Sequence, residues 1–210
     1  MKTKILALAA TVLAAGCTAG MTTTQKEGEV TTDQAIAVMK ASFLPKGQAK
    51  LDRLDQDEVQ KACSDYHPGK PLPKDLAERI EKSQFATVKY PADGKLMGDW
   101  KSGEKIAQSG VGKQYSDDPK VVAGGNCYAC HELTKQELAF GTIGPSLYRF
   151  GKLRGFTPEM QKYAYAKVYN PDAVSACSNM PRFGHNGILT EQQIRDVVAL
   201  LMDPESPVNK

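Results

Sequence analysis

One stretch of sequence decides the fold, Asn126-Cys127-Tyr128-Ala129-Cys130-His131. It contains the pattern C-x-x-C-H, which is the attachment signature of c-type haem. Two thiols three positions apart can form thioethers with the two vinyl groups of one porphyrin, and the next residue can then present its imidazole to the iron. The sequence therefore predicts one covalently bound haem c, attached through Cys127 and Cys130, with His131 as the proximal iron ligand.

A zinc half-site and a thioredoxin-like redox motif are the competing interpretations of the paired cysteines. Zinc would need a second paired set of ligands, whereas the remaining cysteines, Cys17, Cys63 and Cys177, are scattered along the chain. A thioredoxin motif needs a strand that leads into a helix, but residues 121–126 are short, rich in glycine and surrounded by helix signals. The pattern therefore favours haem.

A low-spin haem needs a ligand on its second face, and the candidates are the later methionines and His185. Met160 and Met202 fall in predicted helices, where core packing accounts for them. Met180 lies in an irregular loop 49 positions after His131, and a proline follows it. Ligation by His and Met is a standard arrangement in cytochromes c, and it raises the reduction potential. We therefore predict Met180 as the second axial ligand, with His185 as the alternative.

Two further kinds of residue are candidates for supporting the haem. The ring N–H of His131 needs an acceptor that fixes its tautomer, and the carbonyl of Pro145 is the predicted partner, although Gly144-Pro145 also fits a simple turn. Arg149 or Arg182 could pair with a haem propionate, and a solvated arginine is an equal alternative at each position.

The N-terminus has the form of an export signal. Lys2 and Lys4 precede an apolar run that ends in small residues, so residues 1–16 are predicted to be a signal peptide. Ordinary cleavage before Cys17 and lipoprotein-type cleavage with Cys17 lipidated both remain open. Either route predicts a periplasmic protein, which is associated with the membrane only if Cys17 is lipidated.

The charge balance excludes nucleic acid as a partner. The chain has 27 basic and 24 acidic residues, for a formal net charge of +3. Loss of Lys2 and Lys4 with the signal peptide leaves 25 basic residues and a charge of +1, and two haem propionates bring the total to about −1. No strongly basic surface is expected.

Two cysteines remain outside the motif and the signal region, Cys63 and Cys177. An even pair in an oxidising compartment predicts a disulfide that ties the N-terminal helices to the Met180 loop. Two buried free thiols are the alternative.

The fold class predicted from the helix signals is all-α. The signals cover residues 32–43, 55–66, 74–88, 99–110 and 157–169, with a last helix after Thr190, and Glu58 is suitably placed for a capping box with Asp55. Residues 17–95 are predicted to form a tether and a helical extension. Residues 96–210 are predicted to form a class I cytochrome c-like domain.

The second half of the chain resembles SoxX, the monohaem cytochrome subunit of the bacterial sulfur-oxidation complex SoxAX. The shared pieces are Gly124-Gly125-Asn126-Cys127-Tyr128-Ala129-Cys130-His131, Gly144-Pro145-Ser146-Leu147, Tyr169-Asn170-Pro171, Met180-Pro181-Arg182-Phe183-Gly184 and Asp203-Pro204-Glu205-Ser206-Pro207-Val208-Asn209. The resemblance covers residues 99–209 and departs from a minimal domain in the extra stretch 32–91. That stretch has no assigned role.

The resemblance implies an electron-transfer subunit that pairs with a SoxA-like cytochrome. In that family the complex, an L-cysteine S-thiosulfotransferase, couples thiosulfate oxidatively to a cysteine of the carrier SoxYZ, and the catalytic site is expected on the partner. The downstream electron acceptor would be another cytochrome c. The alternatives are a free-standing periplasmic electron shuttle and a haem-based sensor or peroxidase with an open sixth position.

Overall fold

The computed structural model describes residues 30–66 and 69–210. That part of the chain is helical and contains no β-strand, so the all-α prediction is confirmed. The predicted signal peptide, the possible lipidation site Cys17 and the tether up to residue 29 lie outside the described residues. The chain divides into two compact units, Met1–Ala41 and Ser42–Lys210.

Helix α1 (Thr32–Ser42) accounts for most of the described part of the first unit. The side chain of Thr31 accepts a hydrogen bond from Gln34 N, and Thr31 N donates to the side chain of Gln34. This reciprocal pair is a capping box, which stabilises the helix start. No residue of α1 is buried.

The described residues of the second unit form six further α-helices. Their bounds are α2 (Glu58–Ser64), α3 (Lys74–Phe85), α4 (Trp100–Gln108), α5 (Phe150–Arg154), α6 (Pro158–Tyr169) and α7 (Glu191–Met202). Short 3₁₀ turns cover Leu51–Leu54, Cys127–Ala129, Pro171–Ala173 and Pro207–Asn209. The predicted boundary between residues 95 and 96 stays a prediction, since residues on both sides belong to this one unit.

Helix α7 is the centre of the core. Thr190 and Gln193 form the predicted capping box at its start, and its fully buried side chains include Ile194, Val198 and Leu200. Each such side chain contributes about 1.5–3 kcal/mol through burial. Helices α4, α5 and α6 all contact α7. The backbones of α4 and α7 approach closely at Gly103, because a Cβ there would overlap the carbonyl of Asp196.

The extension differs from the sequence-based expectation at the start of α2. The capping box is formed by Asp57 and Gln60, so the prediction of Asp55 with Glu58 was wrong. Both pairs have an acidic residue followed three positions later by Glu or Gln. Because the capping box lies two residues later than predicted, α2 is shorter than predicted. Helix α3 packs against the 3₁₀ turn Pro171–Ala173 and buries Ile80.

No sequence pattern predicted α5. This helix has five residues, which is too short to show a hydrophobic period. It begins after Arg149 and ends before Gly155, both of which have positive φ angles of 57° and 91°. Its position is fixed by tertiary contacts, since Arg149 N donates to Val208 O and Lys152 N donates to the side chain of Asn209.

Candidate haem-binding site

The two motif cysteines lie on one tight turn. Asn126 leads into the 3₁₀ turn Cys127–Ala129 with a left-handed φ of 46°. The carbonyl of Cys127 then accepts hydrogen bonds from Cys130 N at 3.1 Å and from His131 N at 2.9 Å. These bonds bring the two thiols and the imidazole together within five residues. Both thiols are free and partly buried.

Burial keeps the first thiol protonated to a higher pH than an ordinary cysteine. Removal from water raises the pKa of Cys127 to about 12, and the side chain contacts the apolar core. The sulfur is therefore neutral at physiological pH. A neutral, partly buried sulfur suits an atom that ends as a thioether.

The imidazole of His131 is oriented by a backbone carbonyl. Its Nδ1 lies 2.7 Å from Pro145 O. Because a carbonyl only accepts, Nδ1 carries the ring proton and donates it, and Nε2 is left with a lone pair. A histidine in this tautomer can bind iron through Nε2.

The segment that carries Pro145 is itself fastened to the motif. Gly144 N donates to Cys130 O at 2.8 Å, and Leu147 N donates to Glu132 O at 2.7 Å. These two backbone bonds flank Pro145 and His131 in sequence, so they hold the two residues close to each other. Gly144 faces the flat side of the imidazole, because a Cβ there would overlap the ring.

Met180 lies in the loop between α6 and α7. The residue is partly buried, and its side chain packs against the hydrophobic core. Met180 N donates to the side chain of Ser178, whose own N–H donates to Asp172. Its role as the second axial ligand stays a prediction.

The structure places the rival ligands differently. Met202 is fully buried within α7, and Met160 lies on α6, so both belong to the helical core. The ring of His185 is exposed, and its Nδ1 lies 3.2 Å from the hydroxyl of Thr87 in the extension. Of the four candidates, only Met180 combines a loop backbone with partial burial against the core.

The two arginines considered for a propionate have protein partners. Arg182 is buried, and its Nη2 donates to Asp57 at 2.6 Å while its Nε lies 4.0 Å from Asp172. Arg149 Nε donates to the carbonyl of Lys210. The structure therefore uses Arg182 to fasten the Met180 loop to the extension.

Cys63 and Cys177 are joined in a disulfide, with their Cα atoms 5.4 Å apart. The bond connects α2 to the Met180 loop across 114 positions of sequence. The two thiols of the haem motif remain free.

Several contacts of the Met180 loop had no clear signal in the sequence. They come from Asp57, Glu81, Gln84 and Thr87, all in the extension. A capping pattern could have located Asp57, but its partner Arg182 is 125 positions away. No local pattern reports a contact of that kind.

The residues present fit a covalently attached haem. They supply two free thiols on one turn, an imidazole with Nε2 available and a glycine that leaves space against the ring. A thioether lies in a second loop at the edge of the same core. This set of donors matches the c-type arrangement of two anchors and two axial ligands.

Comparisons with known proteins agree with this site. A family model for cytochrome c matches residues 112–203, which include the C-x-x-C-H turn, Pro145 and Met180. The chain therefore carries a cytochrome c domain of the class I, all-α type, which implies covalently bound haem c and a function in electron transfer. An uncharacterized lipoprotein from Aquifex aeolicus (strain VF5) is 40% identical over 201 residues, which cover 91% of this chain and 94% of the relative. The chain belongs to the same family as that lipoprotein.

Within residues 30–66 and 69–210, no helix has the length and apolar character that are needed to cross a bilayer.

Proposed function

We propose that this chain is the SoxX-like electron-transfer subunit of a SoxAX-type complex in the periplasm. In this role one haem c is attached to Cys127 and Cys130, and its iron is held by His131 and Met180. The observation that carries the electron-transfer part is the 2.7 Å contact between His131 Nδ1 and Pro145 O, which leaves Nε2 for iron in the residue that follows the second thiol. When bound, the haem supplies a one-electron centre.

The residues of the chain have distinct roles in this proposal. The carbonyl of Pro145 accepts a hydrogen bond from the Nδ1–H of His131, which orients the ring and makes Nε2 a stronger ligand for iron. Met180 provides a soft, neutral ligand that favours the reduced iron and raises the reduction potential. Both axial ligands are fastened to the protein, so little has to move when the charge of the iron changes.

The SoxX resemblance is supported by how its shared pieces meet. The carbonyl of Tyr169 accepts hydrogen bonds from Gly184 N and His185 N, both at 3.0 Å. A Cβ at Gly184 would overlap the Tyr169 ring, which accounts for glycine at that position. Two of the pieces that suggested the family, Tyr169-Asn170-Pro171 and Met180-Pro181-Arg182-Phe183-Gly184, therefore meet where the Met180 loop closes.

The balance of electrons argues for a partner. Oxidative coupling of thiosulfate to a cysteine sulfur forms one sulfur–sulfur bond and releases two electrons, whereas one haem accepts one. A SoxA-like cytochrome would hold the catalytic site and deliver the electrons, and a further cytochrome c would accept them. The chain is then a subunit of an enzyme and has no catalytic residue of its own.

The relative supports export with a lipid anchor. That protein is named a lipoprotein, and the corresponding route here is cleavage before Cys17 with a lipid on its sulfur. Labelling of cells with a radioactive fatty acid tests this proposal, with Cys17→Ser as the control. Label on the wild-type chain and none on the variant is the expected result, whereas an unlabelled wild type would show the ordinary cleavage route.

Copurification tests the complex. The tagged full-length chain is isolated from cells grown on thiosulfate, and haem-stained gels show whether a second c-type cytochrome accompanies it at a constant ratio. A tagged monohaem cytochrome of unrelated function, expressed in the same cells, is the control for adventitious association. Recovery of the chain alone would overturn the subunit proposal and favour the free-standing shuttle.

A further inference from the structure

The loop that carries Met180 has few backbone bonds of its own. Backbone-to-backbone hydrogen bonds donated by this part of the chain stop at Ser175 and resume at Phe183, as far as the described residues show. The intervening amide groups of Ala176, Ser178 and Met180 donate to side chains instead. Secondary structure therefore does not hold the methionine in place.

Several of the contacts that hold this loop come from the extension. Asn170 and His185, at its two ends, contact Thr87, and Ala176 N donates to Glu81 of α3. Closer to Met180, helix α2 provides a covalent bond and an ion pair. These contacts are spread over the whole length of the loop.

Helix α2 is bonded to the loop on both sides of Met180, and we call these two bonds together the grip. Cys63, near its C-terminus, is bonded to Cys177, three residues before the methionine. Asp57, at its N-terminal cap, accepts a bond of 2.6 Å from Arg182, two residues after the methionine. Asp57 and Cys63 are six residues apart, which corresponds to about 9 Å along a helix.

The backbone of Cys177, where the disulfide is attached, has an unusual conformation. Its φ angle is +60°, a left-handed value that residues with a Cβ rarely adopt. Such a residue persists where its surroundings over-determine the backbone. Arg182 is likewise held, since 9% of its side chain is exposed and Asp172 lies on its other side.

We propose that α2, through Cys63 and Asp57, is a positioning device that keeps the Met180 sulfur on the haem iron. This inference rests on the ligand set of the proposed function and assigns a role to the extension. Methionine is a neutral ligand that binds iron weakly by itself, so the fraction bound depends on how firmly the protein presents it. Without the grip, the sulfur leaves more often and the sixth position opens to other ligands.

The experiment uses the full-length ferric holoprotein and two variants that loosen the grip separately. Cys63→Ser with Cys177→Ser removes the covalent bond without leaving a lone thiol. Asp57→Asn removes the charge but keeps a good helix cap, because Asn and Asp cap equally well. The measurements are the long-wavelength absorption band of methionine sulfur on ferric haem, the reduction potential and the dissociation constant for added imidazole.

Two control variants match these changes. Asp75→Asn breaks an ion pair of the same 2.6 Å length, between Asp75 and Arg79 on the exposed side of α3, that does not touch the loop. Val208→Ala removes buried apolar volume at the C-terminus, and it controls for lost stability. All spectra are taken well below the lowest melting temperature of the set.

The apparent affinity for imidazole rises as the fraction of protein with sulfur off the iron rises. We expect the dissociation constant to fall about tenfold in the double serine variant and about threefold in D57N, with a weaker sulfur band and a lower potential. The two controls should stay within about twofold of the wild type. Equal behaviour of grip variants and controls would overturn the proposal.

The remaining outcomes are also decisive. A wild type without the sulfur band would overturn the proposal, because there would be no bound sulfur to hold, while copurification would still report on the subunit role. If the double serine variant yields no holoprotein, D57N decides alone. Loss of the sulfur band in the variants of a chain that purifies without a partner would support the grip and reject the SoxAX role.

Discussion

Gly144 lies against the face of the His131 imidazole, so closely that a Cβ at Gly144 would overlap the ring. The same residue donates its N–H to Cys130 O at 2.8 Å and precedes the proline whose carbonyl orients His131. The backbone therefore has no room to move away from an added methyl group. This relationship makes the smallest side chain a requirement of the site.

Gly144→Ala is expected to displace the imidazole and lower the haem content of the purified protein. The measurement is the ratio of haem to protein, with the ferric spectrum as a second readout. Gly94→Ala is the control, because a Cβ added at Gly94 meets no atom within 4 Å, although its φ of +70° disfavours alanine there. That variant should lose about 1–2 kcal/mol of stability with full haem content. Full haem content and an unchanged spectrum in G144A would contradict the expectation.

Met180→Ala is expected to abolish the sulfur band of the ferric protein and to lower the reduction potential, because the soft ligand that favours ferrous iron is gone. His185→Ala is the control. Its exposed ring contacts Thr87, so its loss should leave the band in place. A wild type without the band, whose ferric spectrum changes in H185A and not in M180A, would assign the axial role to His185.

The ion pair between Asp57 and Arg182 predicts a dependence of stability on acid. Burial raises the pKa of Asp57, but hydrogen bonds from Gln60 N and Arg182 outweigh it, so the pKa lies below its ordinary value of 3.8. A carboxyl with a lowered pKa stabilises the fold above its unfolded pKa, and this stabilisation is lost as the pH falls through the folded value. Lowering the pH below about 4 should therefore reduce the free energy of unfolding, measured with urea, more for the wild type than for D57N.

Asp57→Ala separates the cap from the ion pair. It should be about 1 kcal/mol less stable than D57N at neutral pH, since alanine cannot cap α2. Equal acid sensitivity of the wild type and D57N would show that the carboxylate contributes nothing to stability.

For the carboxyl of Glu104 we expect the opposite dependence of stability on pH. Burial raises its pKa above the ordinary value of 4.5, partly offset by a hydrogen bond of 3.1 Å from the Tyr128 hydroxyl, and its Oε2 is buried without a partner among the described residues. A raised pKa gives stability that is fully present below about pH 4.5 and is lost as the pH rises through the folded value. Glu104→Gln should match or exceed the wild type in urea unfolding at pH 7. A clear loss at that pH would show that the charged form is the stabilising one.

The disulfide between Cys63 and Cys177 should contribute strongly to stability. A closed loop of 114 positions corresponds to about 4–5 kcal/mol in the chain-entropy description. Urea unfolding of the holoprotein at pH 7, wild type against C63S/C177S, measures the difference. A loss below about 1 kcal/mol would mean that the unfolded chain is already restricted by other means.

Local patterns in the sequence predicted what depends on local contacts. The capping pair of Thr190 and Gln193 is present at α7, and α6 begins at Pro158 as expected. At α2 two overlapping patterns competed, and the structure uses Asp57 with Gln60. Helix α5 escaped prediction because five residues carry no period and its ends are fixed by distant contacts.

The chemistry of the attachment site follows from local sequence, because Cys127, Cys130 and His131 lie within one turn and need no distant residue to come together. How the second side of the site is held depends on contacts between residues that are far apart in the chain. Asp57 and Arg182 are 125 positions apart, and Asn170 and Thr87 are 83 apart. Such pairs form because the extension and the Met180 loop pack on one core, and the free energy of that packing depends on the whole chain and not on any local pattern.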